Sequence, residues 1–167
     1  MAEEQNNPEF GAEAAAAEGQ QGGQFQLQKL YLKDSSFEVP HAPQVYQEPA
    51  GQLELKLNIQ QKAEVLAENQ YEVTLTITVT AVLGEKTIYL CEVHQSGIFL
   101  IDGFPEAQRN AVINILCPTT LYPYARAQIT QLVAAGGFPP VVLQPISFDQ
   151  IYAQRLQQQQ QEAAQSA

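Results

Sequence analysis

The sequence predicts an α+β fold: a four-stranded antiparallel sheet with helices packed on one face. Three observations carry this reading. Four segments with strand character come first, between residues 24 and 101, and segments with helical periodicity follow. The strand segments alternate apolar with polar residues, which marks an antiparallel sheet covered on one side only. Strands followed by helices, rather than interleaved with them, indicate helices segregated to one face.

The first strand signal, residues 24–33, breaks register. Phe25 and Leu27 fall on one parity, Leu30 and Leu32 on the other, which predicts a β-bulge near Gln28 and Lys29. In the second, Leu53, Leu55, Leu57 and Ile59 alternate with Glu54, Lys56, Asn58 and Gln60. In the third, Val73, Leu75, Ile77, Val79 and Ala81 alternate with Glu72, Thr74, Thr76, Thr78 and Thr80. A threonine ladder suits a wet face, because Thr is β-branched yet polar. The fourth strand, 87–93, follows the turn Leu83-Gly-Glu-Lys86 and continues unevenly toward Ile101. Short connections make strands two to four a meander. The long Pro-rich connection at 34–52 predicts a crossover or a functional loop.

Val112, Ile115 and Leu116 mark a first helical piece that Pro118 is expected to interrupt. Leu121, Ala125, Gln128 and Leu132 form one stripe of the next helix, flanked by Ile129 and Val133, and Gly136-Gly137 ends it. Pro123 belongs in a first turn or at a kink. Ser147 with Gln150 reads as a capping box, and Ile146 with Ile151 as a hydrophobic staple. Phe148, Ile151, Tyr152 and Leu156 give the last helix its apolar face. The middle helical stripe is more apolar than one thin sheet can use, which predicts oligomerisation.

The ends differ from the middle. Residues 1–23 hold no Lys, Arg or β-branched residue and one aromatic, Phe10, a composition that predicts a disordered acidic tail. Residues 157–167 open with five Gln and read as a frayed, disordered tail. The expected domain is 24–156. Of the formal charge of −10, the first tail carries −5, through Glu3, Glu4, Glu9, Glu13 and Glu18. An acidic chain argues against nucleic acid, whose phosphates demand clustered Lys and Arg. Neither a bilayer-spanning run nor a signal peptide is evident, so no direct membrane insertion is expected. Two cysteines, Cys91 and Cys117, are too few for a disulfide framework, and a reduced, cytoplasmic compartment is the default.

The motifs of catalysis are not found. Cys91-Glu-Val-His94 has the spacing of a metal pair, but residues three apart on a strand point to opposite faces. Cys117 lacks the basic neighbour that activates a thiol. Ser35-Ser36 beside Asp34 has no activated base. Gly22-Gly23 and Gly136-Gly137 lack the rest of a phosphate or dinucleotide fingerprint. No catalytic residue, metal or cofactor is therefore expected, and the chain reads as a non-enzyme. What is present is a set of apolar residues in loop-like contexts: Phe37, Val45, Tyr46, Phe104, Phe138 and Val141. Individually they read as plugs at the margins of the core; as a group they could line a groove.

Four segments carry a resemblance to a known family. They are Tyr31-Leu-Lys-Asp-Ser-Ser-Phe-Glu-Val-Pro-His-Ala-Pro43, Cys91-Glu-Val-His-Gln-Ser-Gly-Ile-Phe99, Cys117-Pro-Thr-Thr-Leu-Tyr-Pro-Tyr-Ala-Arg126 and Gly136-Gly-Phe-Pro-Pro-Val-Val-Leu-Gln-Pro-Ile-Ser-Phe-Asp149. Over about residues 24–156 the chain resembles the SecB family of protein-export chaperones. The resemblance implies a homotetramer built as a dimer of dimers, with helices between two large sheets. It implies an ATP-independent holdase that binds unfolded precursor proteins, keeps them translocation-competent and delivers them to the motor SecA. The alternative is a general holdase of the same fold not dedicated to secretion.

Carried over residue by residue, the family's motor contact falls on Asp34, Glu38, Leu90 and Glu92. The bland reading of the same residues is a solvated loop and strand face. The candidate client groove comprises Phe37, Tyr46, Phe104, Phe138 and Val141. One departure affects it: many members carry a Trp in the crossover loop, whereas this region reads Gln47-Glu-Pro-Ala-Gly51. A client contact through that Trp does not carry over; Tyr46 and Phe37 are the candidate replacements.

Overall fold

The structure is a computed structural model and describes residues 22–49 and 51–166. The expectation for the acidic tail at 1–23 falls outside the described residues except at Gly22 and Gly23. Strands β1 (Gln24–Glu38), β2 (Glu54–Ala67), β3 (Gln70–Leu83) and β4 (Lys86–Asp102) form one antiparallel sheet in the order β1-β4-β3-β2. Strands two to four are the expected meander. The connection from β1 to β2 crosses from one edge of the sheet to the other.

β1 stays in register with the sheet by slipping twice. One bulge lies between Leu27 and Lys29, where the parity of the sequence changes, and a second lies between Leu32 and Asp34. The Gln95 amide, buried on the helix side, donates to the main-chain oxygen of Tyr31 beside the second bulge at 3.0 Å. This pairs a polar group that would be costly to bury alone. β1 stops pairing at Glu38, opposite Leu90, just before Pro40. The Pro-rich segment then turns. The Ala42–Pro43 peptide bond is cis, Val45 N–H donates to His41 O at 2.9 Å, and Gln44–Tyr46 form a short 3-10 turn.

Helices cover one face. α1 (Glu106–Ala111), a π-helical turn at Val112–Leu116 and α2 (Cys117–Ala135) follow one another without a break. Pro118 therefore does not interrupt a helix, contrary to the sequence expectation. It occupies the first turn of α2, where a missing N–H is tolerated. Pro123 lies further inside the helix. α2 lies across β4 and β3. Its Leu121, Ala125, Ile129 and Val133 are fully buried with Leu75, Ile77, Val79, Cys91 and Val93 of the sheet.

At the end of α2, Gly137 N–H donates to Ala134 O at 3.1 Å and Phe138 N–H to Val133 O at 3.3 Å. Gly137 takes φ +83°. This is a Schellman motif with glycine in the left-handed position. α3 (Phe148–Gln165) starts at Ser147, whose side chain accepts from Gln150 N–H at 3.4 Å. It packs on the π-helical turn. The stretch 157–167, expected to fray, instead continues α3 to Gln165. Gln, Ala and Glu are good helix formers, and an N-capped helix under way adds them at little cost.

Candidate functional site

The first candidate surface lies on the sheet face turned away from the helices. Across β1 and β4, Asp34 pairs with His94, Ser36 with Glu92 and Glu38 with Leu90. Paired residues project to the same side, so Asp34, Glu38, Leu90 and Glu92 share one face. Asp34 and Glu38 are exposed, and Leu90 and Glu92 half-buried. The strand β3 contributes Thr76, Thr78 and Thr80 beside them, opposite His94, Glu92 and Leu90.

Glu92 is held at both oxygens. Thr78 Oγ1 donates to Oε2 at 3.0 Å and His94 Nε2 lies 2.6 Å from Oε1. These hydrogen bonds, the histidine's first, hold the carboxyl below the ordinary 4.5. His94 Nδ1 in turn lies 3.0 Å from Thr76 Oγ1. Cys91, by contrast, points into the core, where burial pushes its thiol up to about 11. Cys91 and His94 thus face opposite sides of the sheet and do not form a ligand pair. Burial pushes Cys117 up to about 12.

Further along the same face a second acidic group is committed elsewhere. Glu72 accepts from Lys33 Nζ at 2.6 Å and from the Tyr31 hydroxyl. The Lys33 and Tyr31 hydrogen bonds hold its carboxyl below 4.5.

The second candidate surface is an apolar groove of about 500 Å³ on the helix side of the sheet. The crossover supplies Val45, Tyr46 and Pro49; β2 with its approach supplies Leu53 and Leu55; β3 and β4 supply Leu83, Ile88 and Tyr89. Phe138, Pro139, Pro140 and Val141 close the far wall after α2. An aromatic cluster makes the floor. Ring centroids of Tyr89 and Phe138 are 4.9 Å apart, Tyr46 and Phe138 5.5 Å, and Phe37 and Tyr89 5.6 Å, within the range of favourable aromatic contact. The Tyr46 hydroxyl donates to Gly136 O at 2.6 Å, which ties the crossover to the end of α2. Glu48 and Lys86 pair at 2.8 Å on the rim.

The structure thus brings Tyr46, Phe138 and Val141 into one groove, with Phe37 packed behind Phe138. Phe104 is not part of it. It follows β4 and packs beside Gly23 and Asp102, at the other end of a strand that spans roughly 40 Å from Tyr89 at the usual rise. Tyr89, Ile88, Leu83, Leu53 and Leu55 were not identified from sequence as groove residues. A signal existed for two of them, since Leu53 and Leu55 continue the apolar side of β2 past the reach of the helices. Leu55 and Leu57 are accordingly 45% and 47% exposed.

An open apolar groove floored by aromatics, beside a polar sheet face, suits a protein that binds apolar segments of other chains. Comparison with known proteins agrees. The family model "Preprotein translocase subunit SecB" matches residues 18–159. A protein-export protein SecB of Alkalilimnicola ehrlichii is 48% identical over 95% of this chain and 83% of its own length. One from Nitrosococcus oceani is 44% identical over 96% and 94%. Among solved structures, a Mycobacterium tuberculosis SecB-like chaperone in complex with a ChAD peptide from the HigA1 antitoxin aligns with TM-score 0.61. It is 18% identical, covering 73% of this chain and 90% of its own, and so speaks to the fold. The chain belongs to the SecB family, and its role is that of a chaperone in protein export. Among the described residues no helix is long and apolar enough to cross a membrane.

Proposed function

We propose that this protein is a cytoplasmic, ATP-independent holdase. It binds unfolded precursor proteins along the groove and hands them to SecA through Asp34, Glu38, Leu90 and Glu92. The observation that carries the client half is the open groove itself, an apolar trough walled by Leu55, Tyr89, Phe138 and Val141. Unfolded chain offers apolar side chains and unpaired backbone, and such a trough with a strand edge beside it answers both. The motor half is supported by three carboxylates on one sheet face together with an apolar Leu90 among them.

We further propose a homotetramer, a dimer of dimers. Leu55 and Leu57 stand on the helix side of β2, yet α2 packs mainly on β4 and β3 and leaves both nearly half exposed. A second copy burying them would offset the cost of their exposure, and several grooves on one particle would bind one client with avidity.

The test is refolding of a slow-folding precursor with and without the protein, read beside its mass in solution. Delayed refolding by a tetramer is expected; a monomer without effect on refolding would sink the proposal. For the motor face, Glu38→Lys and Glu92→Lys are expected to weaken SecA binding in calorimetry while leaving mass and client binding unchanged.

A further inference from the structure

We infer that His94 is a positioning residue of the acidic docking face, fixing the Glu92 carboxylate in one orientation. The inference rests on the proposed role of Asp34, Glu38 and Glu92 as motor contacts. Its own support is geometric. Glu92 and His94 are two apart on β4, so they lie side by side on one face. The 2.6 Å contact from His94 Nε2 and the 3.0 Å hydrogen bond from Thr78 engage both carboxylate oxygens. Thr76 Oγ1, 3.0 Å from Nδ1, anchors the far side of the ring. A ring held from both sides gives a surface glutamate one orientation, where a free glutamate would lose side-chain entropy on docking.

The surroundings leave the second hold on Glu92 to that ring. On β1, Asp34 sits opposite His94, and Glu38 lies four pairs along, on the same face. On β3 the neighbours are neutral, Thr76, Thr78 and Thr80. On β2, one strand further, Lys56 is opposite Thr80 and Lys62 opposite Thr74. Lys33 is engaged with Glu72 and Lys62 with Glu64. His94 is thus the base in contact with Glu92, and it is paired across the strands with Asp34. Without the ring, Glu92 would keep only its hydrogen bond from Thr78 and regain rotamer freedom that docking has to remove.

The experiment is calorimetric titration of SecA into wild-type protein, His94→Gln, His94→Leu and Glu92→Lys. Gln offers an amide donor to Glu92 in place of the ring, and Leu offers none. His94→Leu, which leaves Glu92 held by Thr78 alone, is expected to bind about two- to fivefold more weakly than wild type, and His94→Gln to recover most of that loss. A His94→Leu protein that binds like wild type overturns the inference, and so does a His94→Gln protein as weak as His94→Leu. If His94→Leu does not fold, His94→Ala, which also lacks a donor, takes its place. Unchanged binding by Glu92→Lys strikes instead at the docking face itself, which keeps the two failures apart.

Discussion

The side-chain amide of Gln61, on the edge strand β2, donates to the main-chain oxygen of Ile113 at 2.7 Å. The reason lies in the helix. In the π-helical turn, Cys117 N–H donates to Val112 O, five residues back, rather than to Ile113. The next residue is Pro118, which has no N–H to give. The carbonyl of Ile113 is thereby stranded, and a stranded, partly buried carbonyl costs free energy unless another donor reaches it. Gln61→Leu removes the donor, and Gln61→Asn is one methylene too short. Each is expected to lower the unfolding free energy by about 1 kcal/mol, read from urea melts at constant m-value. Gln61→Leu melting like wild type would mean that water serves the carbonyl equally well.

Gly136 and Gly137 sit side by side but are needed for different reasons. Gly137 has φ +83°, so Gly137→Ala incurs the left-handed penalty of about 1–2 kcal/mol wherever its methyl points. Gly136 has φ −74°, a value any residue adopts. A Cβ there would instead overlap the ring of Phe37, which is packed against Tyr89 and Phe138. Gly136→Ala is expected to cost about 1–3 kcal/mol by overpacking. Phe37→Leu should relieve that cost and leave the cost at Gly137 untouched. A double-mutant cycle checks this: coupling to Phe37 is expected for Gly136→Ala only.

The sheet was legible in the sequence because its signals are local. Alternation gave the strands, and the parity change between Leu27 and Leu30 gave the first bulge, but β1 runs to Glu38, five residues beyond the 24–33 that the pattern marks. The shared face of Asp34, Glu38, Leu90 and Glu92 came instead from family resemblance and became geometric only with the pairing register. Helix continuity through Pro118 was not legible, because it depends on a widened turn and on Gln61, fifty residues away in sequence. The Gln-rich stretch was misread from composition, which does not register that a capped helix was already under way. The groove walls at Tyr89, Ile88 and Leu83 look like ordinary strand positions until the crossover is laid beside them. Phe104 shares the loop-like context of Phe138 but lies at the opposite end of the sheet.

Acid should expose the Glu72 cluster. Lys33 and Tyr31 favour its ionised form, so its folded value lies below the ordinary 4.5. A carboxyl depressed on folding contributes stability that is present above 4.5 and is lost as pH falls through the folded value. Wild type is expected to be more stable than Glu72→Gln at neutral pH, and the gap should close on the acid side of 4.5. Urea melts of both proteins along a pH series measure it. A gap that stays constant into acid would show that the glutamate acts by packing rather than by charge.

Cys91 and Cys117 make the opposite prediction at high pH. Both are fully buried, and desolvation raises them from 9 to about 11 and about 12. A group whose folded value is raised contributes stability below the unfolded value that is lost as pH climbs toward the folded one. Stability should therefore decline above pH 9, and replacing both thiols with Ala should flatten the decline, even if it lowers stability throughout. Thiol reagents offer an independent reading, since the thiolate is the reactive form. Neither cysteine should react in the native protein at neutral pH, and both should react in urea.

Groove function can be separated from surface apolarity by comparing two residues that the sequence placed in one group. Val141 lines the groove with Phe138 and Tyr89, while Phe104 packs at the far end of the sheet beside Gly23. A carboxylate at position 141 would have to be desolvated wherever a client's apolar side chain settles. Val141 follows the proline pair and is only half-buried, so a charge there still reaches water in the unliganded protein. Val141→Asp is expected to weaken binding of an unfolded precursor by roughly tenfold, with mass in solution unchanged. Phe104→Ala removes more apolar surface, so a protein that captured clients by general stickiness would suffer more from it. If the groove is the site, Phe104→Ala binds like wild type once its stability is matched. The reverse ranking, with Phe104→Ala the weaker binder, would move the client site to the other end of the sheet.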